Sequence, residues 1–348
     1  MTTEDLQLEP LRHNPHNAVT ASVDRVRRTD GTSSIRKVLR AASAAPERTD
    51  RWAASDDPRH WNYWRREVEA YQDEQLRRSL DGTGLDMPAC EVVEHDDGAT
   101  LWLEDVPGTP GTAFTLADHE AVAAGLGRWQ AQGPLRAAWS FAGFLRAYSA
   151  GQTRPSVGLV EDDDAWRRPL VRDTWPDGLR EGWRRLLAHR DALLDVMERL
   201  PRTRSHLDVW ASNEIRRTSG EVVLLDWAFV GDGAVGEDLG NHVPDAAFDL
   251  FWPAAEISDL DDACFAAYLA GVREAGWRGR DHEVRLGVVA SCVKYSWLLP
   301  LMLEQAHRDE HRAYHEVVDS AHLYQQRGLI LTHLVGWCDE ALRLVAQL

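Results

Sequence analysis

A chain of 348 residues, 44% hydrophobic and 27% charged, can bury a large core and suggests two domains or lobes of a globular protein. Its formal net charge of −17 argues against a nucleic-acid backbone as partner and favours cationic partners by electrostatic steering.

Cys90, Cys264, Cys292 and Cys338 are scattered without a C-x-x-C pair, the usage of a reduced cytoplasmic protein rather than of a zinc site. The start, Met-Thr-Thr-Glu-Asp-Leu, is acidic and shows no signal peptide. The most apolar long segment, Val288 to Leu303, is interrupted by Lys294 and Pro300 and reads as a buried helix, so no membrane partner is expected. Of 39 basic residues only Lys37 and Lys294 are lysines. A chain this biased toward arginine keeps lysine chiefly where arginine will not serve.

In chain order, residues 18 to 29 alternate like a strand, Asp30-Gly31 supplies a hairpin turn, and Ser34 to Arg40 forms a second strand with Lys37 in its middle. Pro46 to Pro58 is polar and loop-like. The stretch Trp61 to Tyr71 starts an amphipathic helix with Trp61, Trp64, Val68 and Tyr71 as its stripe and Glu67 on its flank. Cys90 to Glu94, the turn at His95 to Gly98, and Thr100 to Val106 form a further hairpin that runs into Pro107-Gly108. Helices are expected over Leu116–Gln132, Gly133–Tyr148 and Leu179–Leu200. Between them, the acidic run Glu161 to Asp164 reads as a solvated loop.

Residues 204 to 241 carry the chemistry. They fit H-x-D-x-x-x-x-N with His206, Asp208 and Asn213, then a turn at Thr218-Ser219-Gly220, the apolar run Val222 to Leu225, and Asp226 thirteen residues after Asn213. This is the spacing of a kinase catalytic loop joined by a short hairpin to a metal-binding Asp. Phosphoryl transfer needs an aligned hydroxyl, a carboxylate to take its proton, and hard oxygen ligands for Mg²⁺. Asp208 would be the base; Asn213 and Asp226 would hold metal. Two decoys, His189-Arg190-Asp191 and His307-Arg308-Asp309, place Val196 and Tyr314 where Asn213 stands and lead into no strand ending in Asp. No Walker A motif is present, which disfavours a P-loop NTPase.

Beyond Asp238 the chain reads as helical to its end. Val243 to Cys264 mixes Asp245, Asp249, Glu256, Asp259, Asp261 and Asp262 with Phe248, Phe251 and Trp252, and Ser258 reads as a helix cap with Asp261. Acid beside aromatic suits a cation, although a core stripe with solvated acids gives the same pattern. His307, His311, His315 and His322 fall on one long expected helix, as a surface face rather than a metal site.

The segment His206 to Asn213, the Leu-Leu-Asp-Trp around Asp226 and the run Gly231-Asp232 to Asp238-Leu239 resemble the aminoglycoside phosphotransferase and choline kinase-like family. The resemblance implies an α+β, protein-kinase-like two-lobed fold, with a small β-rich N-lobe over 1–106 and a larger helical C-lobe over 107–348. It implies ATP and Mg²⁺ as cofactors, with Lys37 on the phosphates, Glu67 orienting Lys37, and Glu104, Asp105 and Val106 at a hinge where backbone binds adenine. Asp238 would be structural, accepting backbone N–H bonds of the catalytic loop. The family's glycine-rich phosphate loop is missing here: Asn14 to Thr20 stands in its place, with no glycine before Gly31. The implied activity is γ-phosphate transfer to a hydroxyl of a small, cationic molecule such as an aminoglycoside-type antibiotic. Alternatives are a kinase for Ser/Thr of a ribosomally made precursor peptide, of the lanthipeptide type, and a non-catalytic nucleotide-binding protein.

Overall fold

The computed structural model describes residues 7–46, 52–151, 155–314 and 316–347. The acidic first residues, part of the loop after Pro46, and His315 of the histidine series lie outside the described residues.

The N-terminal region is a five-stranded antiparallel sheet in the order Gln7–Pro10, Thr20–Arg27, Ser33–Arg40, Gly98–Glu104, Cys90–His95. Successive side chains of a strand point to opposite faces. Lys37 and Leu39 therefore share a buried face, opposite Leu101 and Ala99 of the neighbouring strand. Lys37 pairs with Val23 on one side and Leu101 on the other, which places it on the central strand.

The helix foreseen from Trp61 begins five residues later, as Arg66–Gln72. Side chains claim the preceding backbone. The fully buried Arg66 guanidinium donates to the carbonyl oxygens of Pro58, His60, Trp61 and Trp139. Asn62 Nδ2 donates to Asn17 Oδ1 and to the carbonyls of Trp52 and Ala53. Trp61 leaves the helix stripe and packs with Phe144, Leu207 and Phe229 in a small separate cluster.

The C-terminal region is helical. Leu116–Gln130 packs on Ile257–Glu274 at glycines, since a Cβ on Gly127 would lie 2.3 Å from the Tyr268 carbonyl oxygen and one on Gly271 2.3 Å from that of Ala124. Leu179–Arg199 forms as expected. The expected helix over Gly133–Tyr148 does not: only Phe144–Gly151 is helical. Residues before it give their backbone to the strand pair Arg202–Ser205 and Gly231–Ala234, through Arg204 N–H to the Gly133 oxygen, Asp232 N–H to the Phe141 oxygen, and Leu135 N–H to Asp232 Oδ1. The acidic run is also no free loop. Asp162 accepts from Asp164 N at the start of a short helix, Asp163–Arg167, and Glu161 and Asp163 pair with Arg184 and Arg180.

The histidine series does not share a helix. Leu298–Gln305 ends before it, and a hairpin of His311–Ala313 and Glu316–Val318 intervenes before Ser320–Val345. The run Glu304 to Arg312 has almost no apolar residues to bury on a helix face. His311 instead lies between Ser320 Oγ and the Gln305 carbonyl. The segment Asp281–Gln305 is long and apolar enough to cross a membrane, and 89% of its most apolar window is buried inside the protein.

Ser258 does not cap its helix, and Asp261 turns inward instead. Its carboxylate meets Arg285 (2.6 and 2.9 Å), Trp337 Nε1 (2.7 Å) and His333 (3.5 Å). Burial pushes this acid upward, but those partners outweigh it and draw it from 3.8 down to about 2. A depressed carboxyl contributes stability that is present above its unfolded value and lost as pH falls toward the folded one. Melting from pH 5 to pH 2 should therefore lose about 2 kcal/mol more in the wild type than in Asp261→Asn. Equal losses in both proteins would show that Asp261 carries none of the acid sensitivity.

Candidate active site

The strand Arg202–Ser205 leads into the loop 206–213, and the hairpin Glu214–Arg216 with Val222–Leu224 leads out of it. Pairing Leu224 with Glu214, and Leu225 N–H with the Asn213 carbonyl (2.8 Å), sets Asp226 beside Asn213. The buried Asp238 carboxylate fixes the loop from behind, accepting from His206 N (2.8 Å), Leu207 N (2.7 Å) and Gln130 Nε2 (2.6 Å). Asn241 Nδ2 holds the Val209 carbonyl at 2.7 Å. These anchors keep Leu207 at φ +66°; Asp226 beyond the hairpin lies at φ +60°. Such left-handed residues cost on the order of 1–3 kcal/mol each and persist where the surroundings impose them.

The structure brings Lys37, Glu67 and Asp226 into contact. Lys37 Nζ lies 2.7 Å from Glu67 Oε2 and 2.8 Å from Asp226 Oδ1, joining the central strand, the helix Arg66–Gln72 and the end of the hairpin. Burial opposes the Lys37 charge, but Asp226 and Glu67 outweigh it and hold the ammonium protonated. Asp226 is the open end of this chain, its side chain 40% exposed and, despite burial's upward push, kept below the usual carboxylate range by Lys37.

Asp208 is half-buried and accepts from Asn213 Nδ2 at 2.9 Å. Burial raises it to about 6, against the pull of Lys294. With Nδ2 committed to Asp208, Asn213 has Oδ1 to offer a cation; with Oδ1 on Lys37, Asp226 has Oδ2. Two hard oxygens suit Mg²⁺ delivered with phosphates, which supply other ligands. Among the described residues no group of three His, Cys, Asp or Glu could hold an ion alone.

Glu104 ends the strand Gly98–Glu104, three residues beyond Leu101, the partner of Lys37, and Asp105 and Val106 follow it. Their acids are tied down: Glu104 by Arg217 (2.6 and 2.7 Å), Asp105 by Arg25 Nε (2.8 Å) and Ser33 Oγ (2.7 Å). Val106 is buried. The segment Asn14 to Thr20 is pinned through Asn17 Oδ1, which accepts from Val19 N and Asn62, while Ala18 N donates to the Trp52 oxygen.

Beyond Asp208 lies an acidic and aromatic wall. Trp210 of the loop meets Tyr314 of the C-terminal hairpin (5.9 Å between centroids), and Tyr314 meets Phe251 (5.0 Å). Burial raises Asp245 to about 7, again against Lys294. Sequence reasoning assigned no role to Lys294 or Asn241. The scarcity of lysine was a signal for the first; nothing local marked the second.

No family model and no curated protein matches the chain. Among solved structures, amicoumacin kinase hAmiN in complex with AMP-PNP, Ca²⁺ and Ami superposes at a TM-score of 0.52 and 14% identity, over 97% of this chain and 89% of that one. An aminoglycoside phosphotransferase from Streptomyces rimosus, solved with ADP and streptomycin, matches at 0.48 and 16% identity over 86% and 94% of the two chains. Choline kinase LicA from Streptococcus pneumoniae matches at 0.48 and 15%, over 95% of each. The likeness to the first, with the five-stranded sheet and the helical region after it, shows the fold: the chain is a two-lobed α+β protein of the protein-kinase-like fold.

Proposed function

We propose that the protein is an ATP-dependent phosphotransferase that moves the γ-phosphate to a hydroxyl of a small, cationic molecule of the aminoglycoside type. One observation carries this reading: Lys37, Glu67 and Asp226, distant in sequence, meet within 2.8 Å, beside an Asn213–Asp208 pair with the hydrogen bond oriented to leave Asn213 Oδ1 available. Lys37 binds the nucleotide phosphates, and Glu67 orients it. Asn213 and Asp226 hold Mg²⁺, which neutralises charge on the phosphates. Asp208 aligns the acceptor hydroxyl and takes its proton. The acids Asp245 and Asp249, with Trp210 and Phe251, form the wall that favours a cation through charge and ring attraction.

The test is a screen of aminoglycosides, simple amino alcohols and Ser/Thr peptides with γ-labelled ATP and Mg²⁺. Label transferred to a cationic hydroxyl compound supports the reading, and label on peptides alone would replace it with the peptide alternative. Lys37→Met should weaken Mg-ATP binding about 10- to 100-fold, the worth of one charge-assisted hydrogen bond. Unchanged binding by calorimetry would remove Lys37 from the phosphate site.

A further inference from the structure

The carboxylate that meets Lys37 belongs to a helix too short to hold its own place. Arg66–Gln72 has seven residues, and no side chain caps its N-terminus. Isolated helices of that length are unstable in water, so tertiary contacts set where this one lies. It packs against the turn Trp227–Phe229, directly after Asp226. Arg65 pairs with Glu94 of the edge strand at 2.6 and 2.9 Å, but a partly exposed ion pair is a weak restraint.

Arg66 supplies the stronger tie. Its guanidinium is fully buried, and among the described residues its partners are all uncharged. Nη1 donates to the Trp61 carbonyl oxygen at 2.7 Å, and Nη2 to those of His60 and Pro58 at 2.8 and 2.9 Å. These bonds knot the approach to the helix. Nε donates across to the Trp139 oxygen of the C-terminal region at 3.3 Å, and the Phe141 ring centroid lies 5.8 Å from the guanidinium carbon.

The same segment grips the strand that follows Asp226. The Phe141 carbonyl oxygen accepts from Asp232 N–H at 3.1 Å, and a Cβ on Gly231 would lie 2.4 Å from that oxygen. Residues 139–141 therefore touch both the root of the Glu67 helix and the strand leading away from Asp226. Trp61, in the knotted approach, adds a second bridge, its ring centroid 5.7 Å from that of Phe229. Burying a guanidinium without a carboxylate is costly, so filling space does not explain it. Arginine suits the place because its donors form a fixed planar fork that holds several oxygens at set angles.

We propose that Arg66 is a positioning residue of the nucleotide site: by tying the root of its helix to residues 139–141, it fixes Glu67 against Lys37 and Asp226. The proposal rests on the phosphotransferase reading, in which Lys37 binds the nucleotide phosphates, and its experiment separates the two.

Mg-ATP binding is measured by calorimetry, with Tm alongside, for the wild type, Arg66→Met, Arg66→Lys, Lys37→Met and each Arg66 variant combined with Lys37→Met. Arg66→Met should weaken Mg-ATP binding about tenfold, as for a residue acting through a packed network. Arg66→Lys, which keeps the charge but not the fork, should lose about threefold to fivefold. In the Lys37→Met background neither Arg66 change should add more than about twofold, because the effect passes through Lys37. A role confined to stability would lower Tm and leave the affinity of the folded protein unchanged. Affinity within about twofold of wild type in folded Arg66→Met, or the same loss in both backgrounds, would overturn the proposal and leave the phosphotransferase reading intact. If Arg66→Met does not fold, Arg66→Lys decides by the same comparison of backgrounds. Failure of Arg66→Lys to fold as well would overturn the proposal, because the residue would then serve the fold as a whole. A wild type that shows the expected coupling but phosphorylates no screened hydroxyl would remove the transfer reading and keep the role of Arg66. A wild type that binds no Mg-ATP would sink both.

Discussion

Asp208→Asn should lower phosphoryl transfer on the order of 10²- to 10⁴-fold while leaving Mg-ATP binding within about threefold. The substitution is close to isosteric. An asparagine at 208 can keep its carbonyl oxygen toward Asn213 Nδ2, where Asp208 Oδ2 now lies at 2.9 Å. What changes is the other atom of the group, which becomes an amide N–H₂ facing the acceptor instead of a carboxylate oxygen able to take a proton. Lys37, Glu67 and Asp226 are untouched, so the nucleotide side should remain assembled. Thermal stability should hold or rise slightly, because a half-buried charge has been removed from among other carboxylates. Single-turnover rates with γ-labelled ATP, alongside calorimetric Mg-ATP binding, measure both quantities. Wild-type turnover in the variant would rule out Asp208 as the base.

Asp238→Ala should be the most damaging single change for folding near the site, costing about 3–5 kcal/mol. Three donors converge on this carboxylate: the backbone N–H groups of His206 and Leu207, and Gln130 Nε2, at 2.6 to 2.8 Å. Asp238 is fully buried, so no solvent reaches those donors once the acceptor is gone. Each orphaned donor costs about 1–3 kcal/mol, and the three will not add fully because the loop can relax. Relaxation carries its own consequence, since Leu207 at φ +66° is held in that conformation by these bonds. Against a total stability of about 5–15 kcal/mol, such a loss is large. Denaturant unfolding at constant m measures it, and a loss under about 1 kcal/mol would contradict the picture of Asp238 as the loop's anchor.

The loop and hairpin over 206 to 226 were legible in the sequence because they are local. A loop of fixed length and a hairpin of short strands have few ways to run, so His206, Asp208, Asn213 and Asp226 could be read from spacing. Four of the five sheet strands, all but the edge strand Gln7–Pro10, and the helix Leu179–Arg199 were legible for the same reason, since periods of two and 3.6 are written residue by residue. What failed were elements whose backbone or side chains are claimed from far away. Arg66 and Asn62 take up the turn that periodicity read as helix from Trp61. Asp232 and the strand around Arg204 hold Gly133 to Phe141 out of a helix. Asp261, which read as part of a cap, is drawn into the core by Arg285 and Trp337. Composition marked Lys294 as unusual, but its neighbours Leu207, Glu237 and Asn241 come from segments far from it in the sequence. Spacing along the chain determined which groups could do chemistry; the burial of charge among distant elements decided how they face one another, because electrostatic energy depends on separation in space and on exclusion of water.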